Sequence, residues 1–244
     1  MNRIQHLKLR VSNSRWNWYL RGLPSPSRAR ALFRAKKHTM TSFERCFSLW
    51  GLCGDIIARQ VPGDFVECGV WRGGSALIMG SVLKKLNQTR RLHLFDSFQG
   101  LPQPSAEDGE RAADYSDGQR DGKMVPVAKC EATIDHVKSA LFNDAKLDPS
   151  YVEFYEGWFQ DTVPVSGNRL SKIAVLRLDG DWYASTQVCL EHLYPRLSSG
   201  GIIILDDYYC WDGCKKATDE YRAHHHINAP LIQVDNDCCY WIKP

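Results

Sequence analysis

The residues best suited to chemistry are two acidic pairs that each follow an apolar run. Asp179-Gly180-Asp181-Trp182-Tyr183 comes after Ile173-Ala174-Val175-Leu176, and Asp206-Asp207-Tyr208 comes after the glycine-led stretch 201–205. If both runs are neighbouring parallel strands, four carboxylates share one rim. Like charges held that close are costly without a counterion. A divalent cation resolves the conflict, and an all-oxygen set favours Mg²⁺, Ca²⁺ or Mn²⁺ over zinc. The structural alternative is that some of these aspartates are helix N-caps, a position Asp favours.

Two upstream segments suit a small-molecule site. Glu67-Cys68-Gly69-Val70-Trp71-Arg72-Gly73-Gly74-Ser75 is an acid followed by a glycine turn that opens a helix. Glycines there let the backbone approach a ligand. The spacing is neither the G-x-G-x-x-G dinucleotide fingerprint nor a P-loop, and a purely structural tight turn is the plain reading. Asp96-Ser97-Phe98-Gln99-Gly100 follows within the distance at which a strand-end acid can take both ribose hydroxyls. Together the two ends describe a nucleoside with an amino-acid-like tail, the shape of S-adenosylmethionine, with NAD as runner-up.

Positioning these groups needs strands that end on one edge. Strands are expected over 64–70, 91–98, 151–159, 172–179, 201–205, 230–234 and 239–243. Helices are expected over 42–59, 75–86, 129–143, 182–197 and 213–226. Solid apolar strands alternating with helices indicate an α/β, doubly wound, Rossmann-like fold. Its sheet is mostly parallel and seven-stranded, has helices on both faces, and ends in an antiparallel hairpin strand. Residues 101–127 are rich in Asp, Glu, Gly and Ser and read as a long loop, a lid over the acceptor. Asp117, Asp121 and Gly122 lack calcium-loop spacing. Trp182 and Tyr183 read either as core or as acceptor-pocket wall.

The 244 residues are 43% apolar and 24% charged with net charge +3, which excludes wholesale disorder. No apolar run reaches the roughly 18 residues of a membrane span, and no secretory leader is evident, so a cytoplasmic protein is expected. The charge is uneven. Residues 1–41 hold ten Lys and Arg and no acid, while the remainder holds 21 basic and 28 acidic groups. Residues 1–37 therefore read as a basic arm and 38–244 as one domain. The arm, with Trp16, Trp18 and Tyr19, suits packing on the acidic body, attraction to a phosphate-bearing or membrane surface, a transit peptide, or exchange between protomers of a homo-oligomer. Nothing in the chain reads as a nucleic-acid interface. Nine cysteines at irregular spacing indicate reduced thiols rather than disulfides, and Cys210 and Cys214 with His224–His226 fit no common zinc motif.

The chain resembles the macrocin O-methyltransferase family of sugar O-methyltransferases. The residues carrying the resemblance are Gly63–Ser75, Phe95–Pro102, Gly157-Trp158-Phe159 with Thr162, Leu176–Tyr183, the stretch from Gly200 to Tyr208, and Thr39-Met40. It implies a class I methyltransferase fold and Mg²⁺-dependent (or Mn²⁺-dependent) transfer of methyl from S-adenosylmethionine to a sugar hydroxyl of a natural product or polysaccharide precursor. By it, Asp179, Asp206 and Asp207 hold the metal and Asp181 is the general base. Glu67, Cys68, Gly69, Val70, Trp71, Gly73, Ser75, Asp96, Ser97, Phe98, Gln99, Gly100 and Asp179 hold the cofactor. Thr39 and Met40 close over its amino-acid end, and Trp158 and Phe159 lie near the adenine. Methylation of a catechol-like phenol, or cofactor binding without catalysis, are the competing readings. NAD-dependent hydride transfer is opposed by the missing fingerprint.

Overall fold

A computed structural model describes residues 25–244 of the chain. Trp16, Trp18 and Tyr19 lie outside the described residues. The strands are β1 (Asp64–Cys68), β2 (Leu92–Asp96), β3 (Val152–Glu156), β4 (Ile173–Leu178), β5 (Leu197–Leu205), β6 (Ile232–Gln233) and β7 (Cys239–Ile242). They form one seven-stranded sheet in the order β3-β2-β1-β4-β5-β7-β6. β1 to β5 pair in parallel, and β7 is antiparallel to both β5 and β6. The doubly wound expectation and its terminal hairpin are thus met.

The helices are α1 (Pro26–Ala35), α2 (Phe43–Ala58), α3 (Gly74–Lys85), α4 (Gly109–Tyr115), α5 (Ile134–Lys138), α6 (Phe159–Ser166), α7 (Tyr183–Leu193) and α8 (Asp212–His224). Side chains alternate across a strand, so β1 sends Phe65 to one face and Val66 and Cys68 to the other. The first face packs under α1, α2, α3 and α5. The second packs under α6, α7 and α8. Every residue of β4 is buried, as a strand covered on both faces requires.

Residues 26–37, the end of the basic arm, pack on the body: α1 starts at Pro26 and buries Ala31, Leu32 and Ala35. Other expectations change. The 101–127 segment is not a bare loop. It contains a 3₁₀ turn (Ala106–Asp108) followed by α4, with Asp108, Ala112 and Ala113 buried. Its acid-rich composition misleads because Asp108 is a cap rather than a solvated charge, accepting from Ser105 N and, across the chain, from Tyr183 N at the start of α7. The 151–159 strand stops at Glu156, and α6 begins at Phe159 with Trp158 as its N-cap. All nine cysteines are free thiols. Among the described residues, no helix is long and apolar enough to cross a membrane.

Candidate active site

The site lies beyond the carboxyl ends of β1, β2, β4 and β5, where an open α/β sheet leaves a crevice. Gly69 follows β1 with φ +89, and a Cβ there would sit 1.8 Å from the Asp179 carbonyl oxygen. Only glycine lets the β1 and β4 tips approach this closely, and the Asp179 N–H donates to Cys68 O at 2.8 Å. At Gly74, a Cβ would meet His38 O and the Thr39 side chain, both at 2.6 Å. The segment before α2 therefore lies directly over the N-terminus of α3.

Asp96 ties the turns together. Its Oδ2 accepts from Val70 N (2.6 Å) and Trp71 N (3.1 Å), and its Oδ1 accepts from Phe98 N (2.6 Å). Burial raises its pKa, and these three backbone donors oppose the rise. A carboxylate has about four acceptor positions, so capacity remains for a ligand hydroxyl.

Of the residues expected to hold the cofactor, Thr39, Met40, Gly69, Val70, Trp71, Ser75, Asp96, Ser97, Gly100, Trp158, Phe159 and Asp179 line one cavity. Cys68, Gly73, Phe98 and Gln99 do not line that cavity. Gly73 has φ +85 and precedes α3. Trp182 and Tyr183 do not line the cavity. Trp182 is core and donates its indole N–H to Pro102 O at 2.8 Å, while the Tyr183 hydroxyl reaches Glu220.

Glu67 differs most from expectation. It is fully buried and faces Arg177, its register partner on β4, rather than the cavity. Arg177 Nη1 donates to Glu67 Oε1 at 2.8 Å and to Asp179 Oδ2 at 2.9 Å, and Nη2 pairs with Asp206 Oδ1 at 2.6 Å. Arg45, on α2, extends the network. It contacts Asp206 Oδ2 (2.6 Å), Asp235 Oδ2 (2.7 Å) and Asp237 Oδ2 (2.5 Å). Neither arginine was singled out from the sequence. A signal existed for one: an arginine inside the apolar strand Ile173–Leu178 must find a buried acid. Arg45 sits in a helix whose partners are about 160 and 190 positions away, so no local pattern marks it.

The four tip aspartates do meet, but not as one equivalent set. Both Asp206 oxygens are held by guanidinium groups, so the trio offering oxygens within 4.8 Å of one another is Asp179, Asp181 and Asp207. Asp207 Oδ2 is buried with no hydrogen-bond partner. Asp181 has φ +57, an uncommon conformation for a side-chain-bearing residue, and its Oδ1 accepts from Trp211 Nε1 at 2.7 Å. Burial, with the neighbouring carboxylates adding to it, pushes the Asp181 pKa up to about 8 and the Asp207 pKa well above the carboxylate range. Asp179 is raised for the same reasons, against the pull of Arg177. Burial likewise raises Glu67 to about 8. An orphaned buried oxygen within a trio of crowded carboxylates fits a hard, oxygen-bound divalent cation.

Comparisons with known proteins identify the family and agree with the fold. The sequence model of the family described as Macrocin-O-methyltransferase (TylF) matches residues 26–243. Demethyldecarbamoylnovobiocin O-methyltransferase of Streptomyces niveus is 39% identical over 208 residues, covering 85% of this chain and 76% of the relative. Mycinamicin III 3''-O-methyltransferase of Micromonospora griseorubida is 36% identical, covering 84% and 78%. The structure of the O-methyltransferase NovP superposes with a TM-score of 0.74 at 36% identity, covering 84% of this chain and 82% of that one. The chain therefore belongs to the macrocin O-methyltransferase family and is an S-adenosylmethionine-dependent O-methyltransferase.

Proposed function

We propose that this enzyme methylates a hydroxyl group on the sugar of a glycosylated natural product, with Mg²⁺ or Mn²⁺ as cofactor. The observation that carries the reading is the convergence of Asp179, Asp181 and Asp207 beside the cavity formed by the glycine turn and Asp96. The relatives named above act on novobiocin- and mycinamicin-type compounds, and a third is a methyltransferase for a dimethoxy-rhamnosyl tetracenomycin.

Asp179 and Asp207 would hold the ion, and Arg177 keeps Asp179 oriented for it. Asp206, implied by the resemblance as a third ligand, instead fastens Arg177 to Arg45 in this structure. A bound divalent cation would supply Lewis-acid assistance, lowering the pKa of an acceptor hydroxyl. Asp181 takes that proton. The Trp211 N–H holds one of its oxygens, which leaves the other to accept the proton. Thr39, Met40, Val70, Trp71, Ser75, Asp96, Ser97 and Gly100 bind and orient the methyl donor, with Trp158 and Phe159 against its adenine. Aligning donor carbon and acceptor oxygen contributes much of the rate in a displacement.

The test is Asp181→Asn, assayed with S-adenosylmethionine and Mg²⁺ on demethyldecarbamoylnovobiocin and mycinamicin III. Turnover should fall about 10²-fold or more while S-adenosylhomocysteine affinity holds. Turnover near that of the wild type removes Asp181 as the base. Activity on catechol with none on either glycoside removes the sugar reading.

A further inference from the structure

The lid segment and the base are joined through one residue outside the cavity wall. Trp211 lies between β5 and α8, is 9% exposed, and donates its indole N–H to Asp181 Oδ1 at 2.7 Å. Its ring is gripped from the lid. Tyr115 of α4 packs on it at a centroid distance of 5.4 Å, and the Arg111 guanidinium lies 4.8 Å from the ring. Arg111 also donates to Cys210 O at 2.7 Å, beside Trp211 in the chain. From the body side, Trp182 meets the ring edge-on at 5.0 Å and itself donates to the lid at Pro102 O. A third fastening is Asp108, which accepts the Tyr183 N–H two residues after Asp181. Gly213 leaves room for it, since a Cβ there would lie 1.9 Å from Asp108 Oδ1.

We infer that Trp211 is a positioning residue whose indole N–H orients Asp181 and whose ring docks the lid segment, so that lid closure and base orientation are coupled. The inference rests on Asp181 being the base. Asp181 needs such a clamp because it sits in a left-handed backbone conformation among other carboxylates that repel it. A neutral donor aimed at one oxygen selects a single rotamer and leaves the other oxygen free for the acceptor's proton. The two parts of the side chain have separable duties: the ring holds Arg111 and Tyr115, and the N–H holds Asp181.

Two substitutions separate these duties. Trp211→Phe keeps an aromatic ring and removes the N–H. It should leave the acceptor KM and S-adenosylhomocysteine affinity within about twofold, leave residues 101–127 as protease-resistant as in the wild type, and lower kcat about 10-fold or more, the scale of one hydrogen bond to a charged group. Crystals of this variant with S-adenosylhomocysteine should show Asp181 in more than one rotamer. Trp211→Ala should additionally expose 101–127 to limited proteolysis. Arg111→Ala combined with Trp211→Phe should lose less than the product of the two single losses. A Trp211→Phe enzyme with unchanged kcat, or one with Asp181 in its original single rotamer, overturns the inference. If Asp181→Asn is itself active, the base reading fails instead. Loss of kcat in Asp181→Asn with none in Trp211→Phe rejects only the role of Trp211.

Discussion

Replacing Arg177 with Met tests the charge balance beneath the site. The arginine is 3% exposed and is the shared cation of Glu67, Asp179 and Asp206, at 2.8, 2.9 and 2.6 Å. Met keeps much of the volume and removes the charge, leaving Glu67 with no paired oxygen. Removing one partner of a buried ion pair costs about 3–5 kcal/mol, because the other charge stays buried and uncompensated. At about 2–4 °C per kcal/mol for a domain of this size, Tm should fall by about 6–20 °C. The assay is thermal unfolding in EDTA, followed by circular dichroism between pH 5 and 8. The sign of the pH dependence follows from the acids. Without Arg177 the pKa values of Glu67 and Asp179, already raised by burial, rise further, so the gap is widest at pH 8, where the wild-type acids begin to ionise beside the arginine and those of the variant do not. Towards pH 5 these acids are protonated in both proteins, and the gap to wild type narrows. A Tm within about 2 °C of wild type at pH 8, or a gap that widens on acidification, refutes the account.

Asp181 and Glu67 both have folded pKa values raised to about 8, above their unfolded values, so their contribution to stability is present below pH 4 and is lost as pH rises through 8. Metal-free protein should accordingly lose Tm from pH 5 to pH 8, at up to about 1.4 kcal/mol per pH unit per group, and Mg²⁺ should restore more at pH 8 than at pH 5; a Mg²⁺ effect independent of pH contradicts this. Asp96→Ala should weaken S-adenosylhomocysteine binding about 10-fold or more, since three backbone donors lose their acceptor and the turn that shapes the cavity slackens; calorimetry reads it, and unchanged affinity opposes it. Asp108→Ala should destabilise by about 1–3 kcal/mol through loss of the α7 cap, and should speed protease cleavage within 101–127.

The strands were legible because their apolar runs are a local property. β4 announces itself as Ile173–Leu178, and the acids that follow β2, β4 and β5 mark the functional rim without reference to the rest of the chain. At α1 a basic surface and an apolar face coexist, since Arg28, Arg30 and Arg34 share a helix with the buried Ala31, Leu32 and Ala35. Charge misled at Asp108, whose partner amide lies 75 residues away.

What the sequence determined by itself, then, is the fold class, the crevice at the strand ends and the presence of several carboxylates there. Tertiary structure alone decided how those carboxylates divide. Register sets Glu67 against Arg177 and turns it from the cavity, and the packing of α2 against the β6–β7 turn brings Asp235 and Asp237 onto Arg45, which also holds Asp206. Asp179, Asp181 and Asp207 are left to converge. The physical reason is that apolar patterning follows from the order of residues, whereas the partner a charge finds depends on side-chain direction and on segments distant in the chain.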